Sequence, residues 1–263
     1  MQQNKPIGIF DSGVGGTSIW KEIHQLLPFE NTIFLADSKN APYGNKSEEE
    51  IIQLSIKNTE KLLEMGSKII VVACNTATTN AIQILREKYD VPLIGIEPAI
   101  KAAALLTVSK SIGILATKGT LSSSLFHQTA SSFAKNISVV EIIGEGLVPL
   151  IESGEISGSK ITKLLEKFVA PMVTAKVDCI VLGCTHYPYL IPMLQKLIPE
   201  NIKIIDSGEA VARQTKKVLQ DNSLLNNKAK KPDLQFFTNA NSNTLQFLLK
   251  DYRNDISVRE MYF

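Results

Sequence analysis

Residues 68–78 read KIIVVACNTAT, and the same pattern returns at 178–188 as DCIVLGCTHYP. In each, an unbroken run rich in Ile and Val ends in a cysteine followed at once by polar residues. Continuous apolarity, where alternation would mark a half-exposed strand, suits a strand covered on both faces, so both runs read as interior strands of a parallel sheet. Working outward, runs of the same kind lie at Ile7–Phe10, Thr32–Ala36, Pro92–Ile96, Ser111–Ala116, Ile137–Ile143, Lys203–Ile205 and Leu234–Phe237. The stretches between them are long enough for crossover helices. Ser47–Met65 is the clearest of these, with Ser47 as N-cap, Glu48–Glu50 in the first turn and Gly66 as the stop. The fold class is α/β, doubly wound, with mainly parallel sheets.

The two halves echo each other. Residues 7–11 read IGIFD against IGILA at 112–116, and IVVAC at 70–74 stands against IVLGC at 180–184. Near-equal offsets point to a duplicated unit and two similar lobes. Asp221–Pro232 is polar and Asn-rich and ends in a Lys cluster, which reads as a solvated connection; one strand and one helix, Asn241–Tyr252, follow it.

Composition removes several classes of function. The chain has 263 residues, 44% hydrophobic and 21% charged, enough to bury a full core. A net charge of +2 with only four arginines gives no electrostatic footprint for nucleic acid or an anionic membrane. Three cysteines without paired C-x-x-C spacing indicate free thiols in a reducing compartment. With no secretory h-region and no run approaching ~20 apolar residues, the expected location is the cytoplasm. Three histidines form no H-x-x-x-H pair, and no flavin, pyridoxal phosphate or nicotinamide signature is present, so neither metal nor cofactor is expected.

In an open parallel sheet, ligands bind at the carboxyl ends of strands. Those ends carry Asp11-Ser12-Gly13-Val14-Gly15-Gly16, Asp37 with Pro42-Tyr43-Gly44, Cys74-Asn75-Thr76, Thr117-Lys118-Gly119-Thr120 and Cys184-Thr185-His186. The glycine turn has two readings: backbone N–H groups presented to an anion, or a tight turn that needs positive φ. Cys74 and Cys184, at matching strand ends, are expected to be partly exposed beside helix N-termini that favour thiolate. Each has a titratable helper within reach: His186 two residues after Cys184, and Asp11 beside Cys74 if the first and third strands are neighbours. Cys179 reads as core.

DSGVGG at 11–16, PYG at 42–44, ACNTAT at 73–78 and GCTHYP at 183–188 together resemble the cofactor-independent bacterial glutamate racemases. The resemblance implies two α/β lobes with the substrate between them, residues 1–96 plus 207–263 forming the first and 97–206 the second. It implies interconversion of L- and D-glutamate, supplying D-glutamate for peptidoglycan, and is compatible with a homodimer. It makes Cys74 and Cys184 the acid/base thiols, with Cys184 taking the proton from L-glutamate and Cys74 from D-glutamate. Asp11 and His186 then assist, and Asp11, Ser12, Tyr43, Gly44, Asn75, Thr76, Thr185 and His186 match substrate-contacting positions. Thr117 and Thr120 add carboxylate contacts, and Glu152 supports His186 from behind.

The chemistry agrees with that pattern. Inverting a carbon centre by proton transfer needs a base on one face and an acid on the other, and two thiols can exchange those roles with reaction direction. Lowering one thiol from its usual ~8.5 brings it within reach of neutral pH while the other stays protonated. Other readings stay open at this point: a racemase for aspartate, a hydrolase with Cys184 as nucleophile and His186 as base, or an anion-binding module built on the glycine turn.

Overall fold

The computed structural model describes residues 2–263; Met1 lies outside the described residues. Among them, ten strands form two sheets. The strands are β1 (Ile7–Asp11), β2 (Thr32–Ala36), β3 (Ile69–Val72), β4 (Leu93–Gly95), β5 (Ser111–Ala116), β6 (Ser138–Ile143), β7 (Cys179–Gly183), β8 (Lys203–Ile205), β9 (Leu234–Thr238) and β10 (Ile256–Glu260). A six-stranded sheet runs β10-β9-β2-β1-β3-β4 and a four-stranded one β6-β5-β7-β8, with every pairing parallel. The order β2-β1-β3-β4 is repeated as β6-β5-β7-β8, so the echo in sequence is an echo in topology. Each half places its first strand centrally, between its second and third.

Helices cover both faces of each sheet. Ile9, Trp20, Phe34 and Phe236 belong to one apolar cluster of the six-stranded sheet, while Phe10, Leu35, Val72 and Cys74 belong to another. The four-stranded sheet is sandwiched in the same way, Leu182 and Cys184 in one cluster and Val181 and Cys179 in the other. Every residue of β1, β3, β5 and β7 is buried, as their continuous apolarity requires. The helix Glu48–Glu64 begins with Ser47 accepting a hydrogen bond from the Glu50 N–H and ends before Gly66 at φ +85°.

The C-terminal part departs from expectation. The helix expected over Asn241–Tyr252 is shorter, Asn243–Leu248, and is followed by a 3-10 turn at Lys250–Tyr252. A tenth strand, Ile256–Glu260, then pairs with β9. Its sequence, ISVRE, has no continuous apolar run because an edge strand is covered on one side only, and it is half-buried to exposed. The 221–232 connection is largely exposed but not free: the buried Lys68–Glu30 ion pair reaches it, Lys68 Nζ donating to the Leu224 carbonyl and Glu30 Oε1 accepting from the Asn226 N–H.

Candidate active site

Register brings the first helper to the first thiol. Phe10 faces Val72 across β1 and β3, and the Ala73 N–H donates to the Phe10 carbonyl, so Asp11 and Cys74 leave the sheet at one level. Cys74 caps the helix Asn75–Lys88: its Sγ accepts from the Ala77 N–H at 3.4 Å and lies 3.4 Å from Ser12 Oγ, to which it donates. In the second sheet Ala116 faces Gly183, which sets Thr117 beside Cys184. Cys184 Sγ lies 3.7 Å from His186 Nδ1, and His186 Nε2 lies 2.5 Å from Glu152 Oε1, at the end of the helix Leu147–Glu152.

The glycine turn does not take up the positive φ expected of a tight turn: Gly13, Gly15 and Gly16 do not have positive φ, and the N–H groups of Gly13, Val14 and Gly16 are engaged by the protein's own carboxylates. Asp11 Oδ2 accepts from Gly13 and Gly16 N–H groups, and Glu152 Oε1 accepts from the Val14 N–H at 2.7 Å. What the glycines provide is close approach between lobes. A Cβ on Gly13 would lie 1.9 Å from Glu152 Oε1, and one on Gly15 would lie 2.2 Å from His186 Nδ1. Three further bonds cross here: Ser18 Oγ to the Thr185 carbonyl, Thr17 Oγ1 with the Tyr189 hydroxyl, and Thr185 Oγ1 to Asp11 Oδ1.

Between the lobes is a narrow cavity with room for about one water molecule. Ser12, Tyr43, Gly44, Cys74, Asn75, Thr76, Thr117, Cys184, Thr185 and His186 line it, so ten of the residues singled out in the sequence meet at one place. Asp11, Thr120 and Glu152 stand one layer behind. Both thiols are buried, at 4% and 7% exposure, where partial exposure was expected, because the opposing lobe closes over each. Thr76 Oγ1 contacts Thr117 Oγ1 and Thr120 Oγ1 at 2.8 and 3.2 Å, a cluster of hydroxyls spanning the cleft. Both polar side-chain atoms of Asn75 are buried without a hydrogen-bond partner. An amide left this way inside a closed cleft is ready for a polar ligand. The Tyr43 hydroxyl, by contrast, turns away from the cavity and donates to Asp37 Oδ2 at 2.5 Å. Pro42 and Val148 also line the cavity, and Val148 carries no polar side chain to mark it in sequence.

The profile of the Asp/Glu/Hydantoin racemase family matches residues 7–215. The chain belongs to this racemase family. A glutamate racemase from Ectopseudomonas mendocina is 45% identical over 225 residues, 85% of this chain and 86% of that protein. In structure, the chain is similar to a glutamate racemase isoform from Bacillus anthracis, at a TM-score of 0.89 and 29% identity over 99% of this chain and 98% of that one. It is also similar to the Escherichia coli glutamate racemase solved with L-glutamate and an activator, at a TM-score of 0.85 and 34% identity, covering 97% of each chain.

Electrostatics make the two thiols of this racemase-family site unequal. Burial pushes the Cys74 thiol well up, and the Asp11 carboxylate pushes it further, against its hydrogen bonds with Ser12 and Ala77. The expected lowering by a helix N-terminus is overridden at this position, because desolvation of a thiolate outweighs one weak N–H contact. Burial likewise raises Asp11 from 3.8 to about 6, with His186 and the Gly16 N–H opposing it. Burial alone would lower His186, but its contacts with Cys184 and Glu152 outweigh that and hold the ring charged well above its usual range. A charged imidazolium therefore lies beside Cys184, while Cys74 keeps its proton.

Proposed function

We propose that the chain is a cofactor-independent glutamate racemase, interconverting L- and D-glutamate and supplying D-glutamate for peptidoglycan. The observation that carries this reading is the pair of cysteines at equivalent strand ends of two like lobes, both lining one closed cavity. In the L-to-D direction the Cys184 thiolate, held by the charged His186, takes the α-proton. The Cys74 thiol donates a proton to the opposite face. In the reverse direction Cys74 must be the base; Asp11, raised to about 6, is a better acceptor for its proton than an ordinary carboxylate. Asn75, the Thr76–Thr117–Thr120 hydroxyls and the Tyr43–Gly44 backbone would take up the substrate carboxylates as hydrogen-bond donors without arginine. Closure around the cavity protects the carbanion-like intermediate from stray protons.

The lobes of this reading divide at residues 96 and 207, near the contact in which Ser207 Oγ donates to the Glu97 carbonyl at 2.5 Å. Synthesis of a wall precursor is a cytoplasmic task, and among the described residues no helix is long and apolar enough to cross a membrane. Incubating the purified, cofactor-free protein with L-glutamate or L-aspartate in deuterium oxide and separating the enantiomers tests the reading. The expected result is D-glutamate carrying α-deuterium, with aspartate far slower; aspartate turning over faster, or no turnover of either, would reject it.

A further inference from the structure

Asp37 follows β2, on the loop leading to Tyr43 and Gly44, and its buried carboxylate gathers side chains from separate parts of the chain. Oδ2 accepts from the Tyr43 hydroxyl at 2.5 Å and from Asn58 Nδ2 at 3.3 Å, and Oδ1 accepts from Asn40 Nδ2 at 2.8 Å and Asn239 Nδ2 at 2.5 Å. Asn58, fully buried within the helix Glu48–Glu64, also donates to Tyr43 Oη at 3.0 Å. Asn239, just after β9, grips the loop twice, because its Oδ1 accepts from the Lys39 N–H at 2.9 Å. The Tyr43 hydroxyl is thus committed to the interior, and the part of this loop that can serve a ligand is its backbone. On its other side the loop meets the opposing lobe, where a Cβ on Gly44 would lie 2.8 Å from Thr117 Cβ.

We infer that Asn58 and Asn239 are positioning residues, which act through Asp37 and Tyr43 to hold the Tyr43–Gly44 backbone against the substrate. Through Asn239, the end of β9 supports the binding loop although it contributes no group to the cavity. This rests on the racemase reading above. A loop fixed in advance binds without the cost of ordering, so loosening it weakens binding of both enantiomers and leaves the proton transfers between the two thiols in place.

The test is steady-state racemisation in both directions with Asn239→Ala, Asn58→Leu, Tyr43→Phe and the Asn239→Ala/Tyr43→Phe pair, each checked for native circular dichroism. Asn239 is only partly buried, so its variant stays informative even if Asn58→Leu does not fold. The expected result is KM raised roughly tenfold for L- and D-glutamate alike, the scale of one hydrogen bond to a charged group, with kcat within about twofold. The paired variant should show less than the product of the single effects, since both act on one carboxylate. Unchanged KM in a folded Asn239→Ala protein, a fall in kcat alone, or fully multiplicative effects would each overturn the inference while leaving the racemase intact. A wild-type protein that does not racemise glutamate would overturn the racemase reading and this inference with it.

Discussion

His186 and Glu152 meet at 2.5 Å, and the same Glu152 oxygen accepts the Val14 N–H from the opposite lobe at 2.7 Å. One carboxylate oxygen therefore holds the histidine that contacts Cys184 and fastens the glycine turn that follows Asp11. Thr244 Oγ1 adds a third segment by donating to the Glu152 carbonyl. In the proposed mechanism, catalytic alignment and lobe closure share this contact. Glu152→Gln keeps the shape but removes the charge, and activity is expected to fall about tenfold to a hundredfold in both directions. Chiral chromatography of each reaction checks this; wild-type rates would show that the contact only closes the lobes.

The glycines of the turn give a sharper steric test. Gly15→Ala drives a methyl into the His186 ring, and Gly13→Ala drives one into the Glu152 carboxylate. A displacement on the order of 1 Å at the reacting groups costs about a hundredfold. Both variants are expected to fold, as judged by thermal melting, and to lose activity on that scale. Activity within a few-fold of wild type would mean that the lobes part without consequence.

The pH dependence follows from Asp11. Its carboxyl is raised from 3.8 to about 6 by burial, so the folded protein keeps this proton up to that pH. In the proposed mechanism the charged form accepts the proton of Cys74, and it predominates only above about 6. For D-glutamate, kcat/KM is expected to fall about tenfold per pH unit below 6, and Asp11→Asn should lack this limb and be slow throughout. Stability runs the other way: the contribution of Asp11 is full below 3.8 and is lost as pH rises through about 6. A flat acid limb in the wild-type profile would contradict the assignment.

Thr76 sits at the centre of the hydroxyl cluster across the cleft. Thr76→Val keeps the volume and removes the shared hydroxyl, and KM is expected to rise roughly tenfold with a smaller change in kcat. An unchanged KM would place the substrate carboxylate elsewhere.

How much of this was legible in the sequence depends on how local each signal is. Strands buried on both faces announce themselves as continuous apolar runs, so β1, β3, β5 and β7 and the two cysteines following β3 and β7 were readable from the local pattern. β10 was not, because an edge strand needs no continuous apolarity. Cys184 and His186 are two residues apart and were visible as a pair, whereas the joining of Asp11 to Cys74 needed the strand order. The close approach at Gly13 and Gly15 was not legible because it depends on what the other lobe brings opposite them. Asn58 and Asn239 carried no signal: each is an ordinary polar residue until the packing of the helix Glu48–Glu64 and the pairing of β2 with β9 deliver it to Asp37. The protonation of Cys74 followed burial, which a linear motif does not convey.

The two-thiol account is tested most directly by the isotope content of both enantiomers early in the reaction of L-glutamate in deuterium oxide. With Cys184 and Cys74 on opposite faces, the first D-glutamate formed carries α-deuterium while the remaining L-glutamate stays protiated, and Cys74→Ser and Cys184→Ser each lose at least about a thousandfold in racemisation. Early product that retains the substrate's own α-proton, or a serine variant that racemises at the wild-type rate, would contradict it.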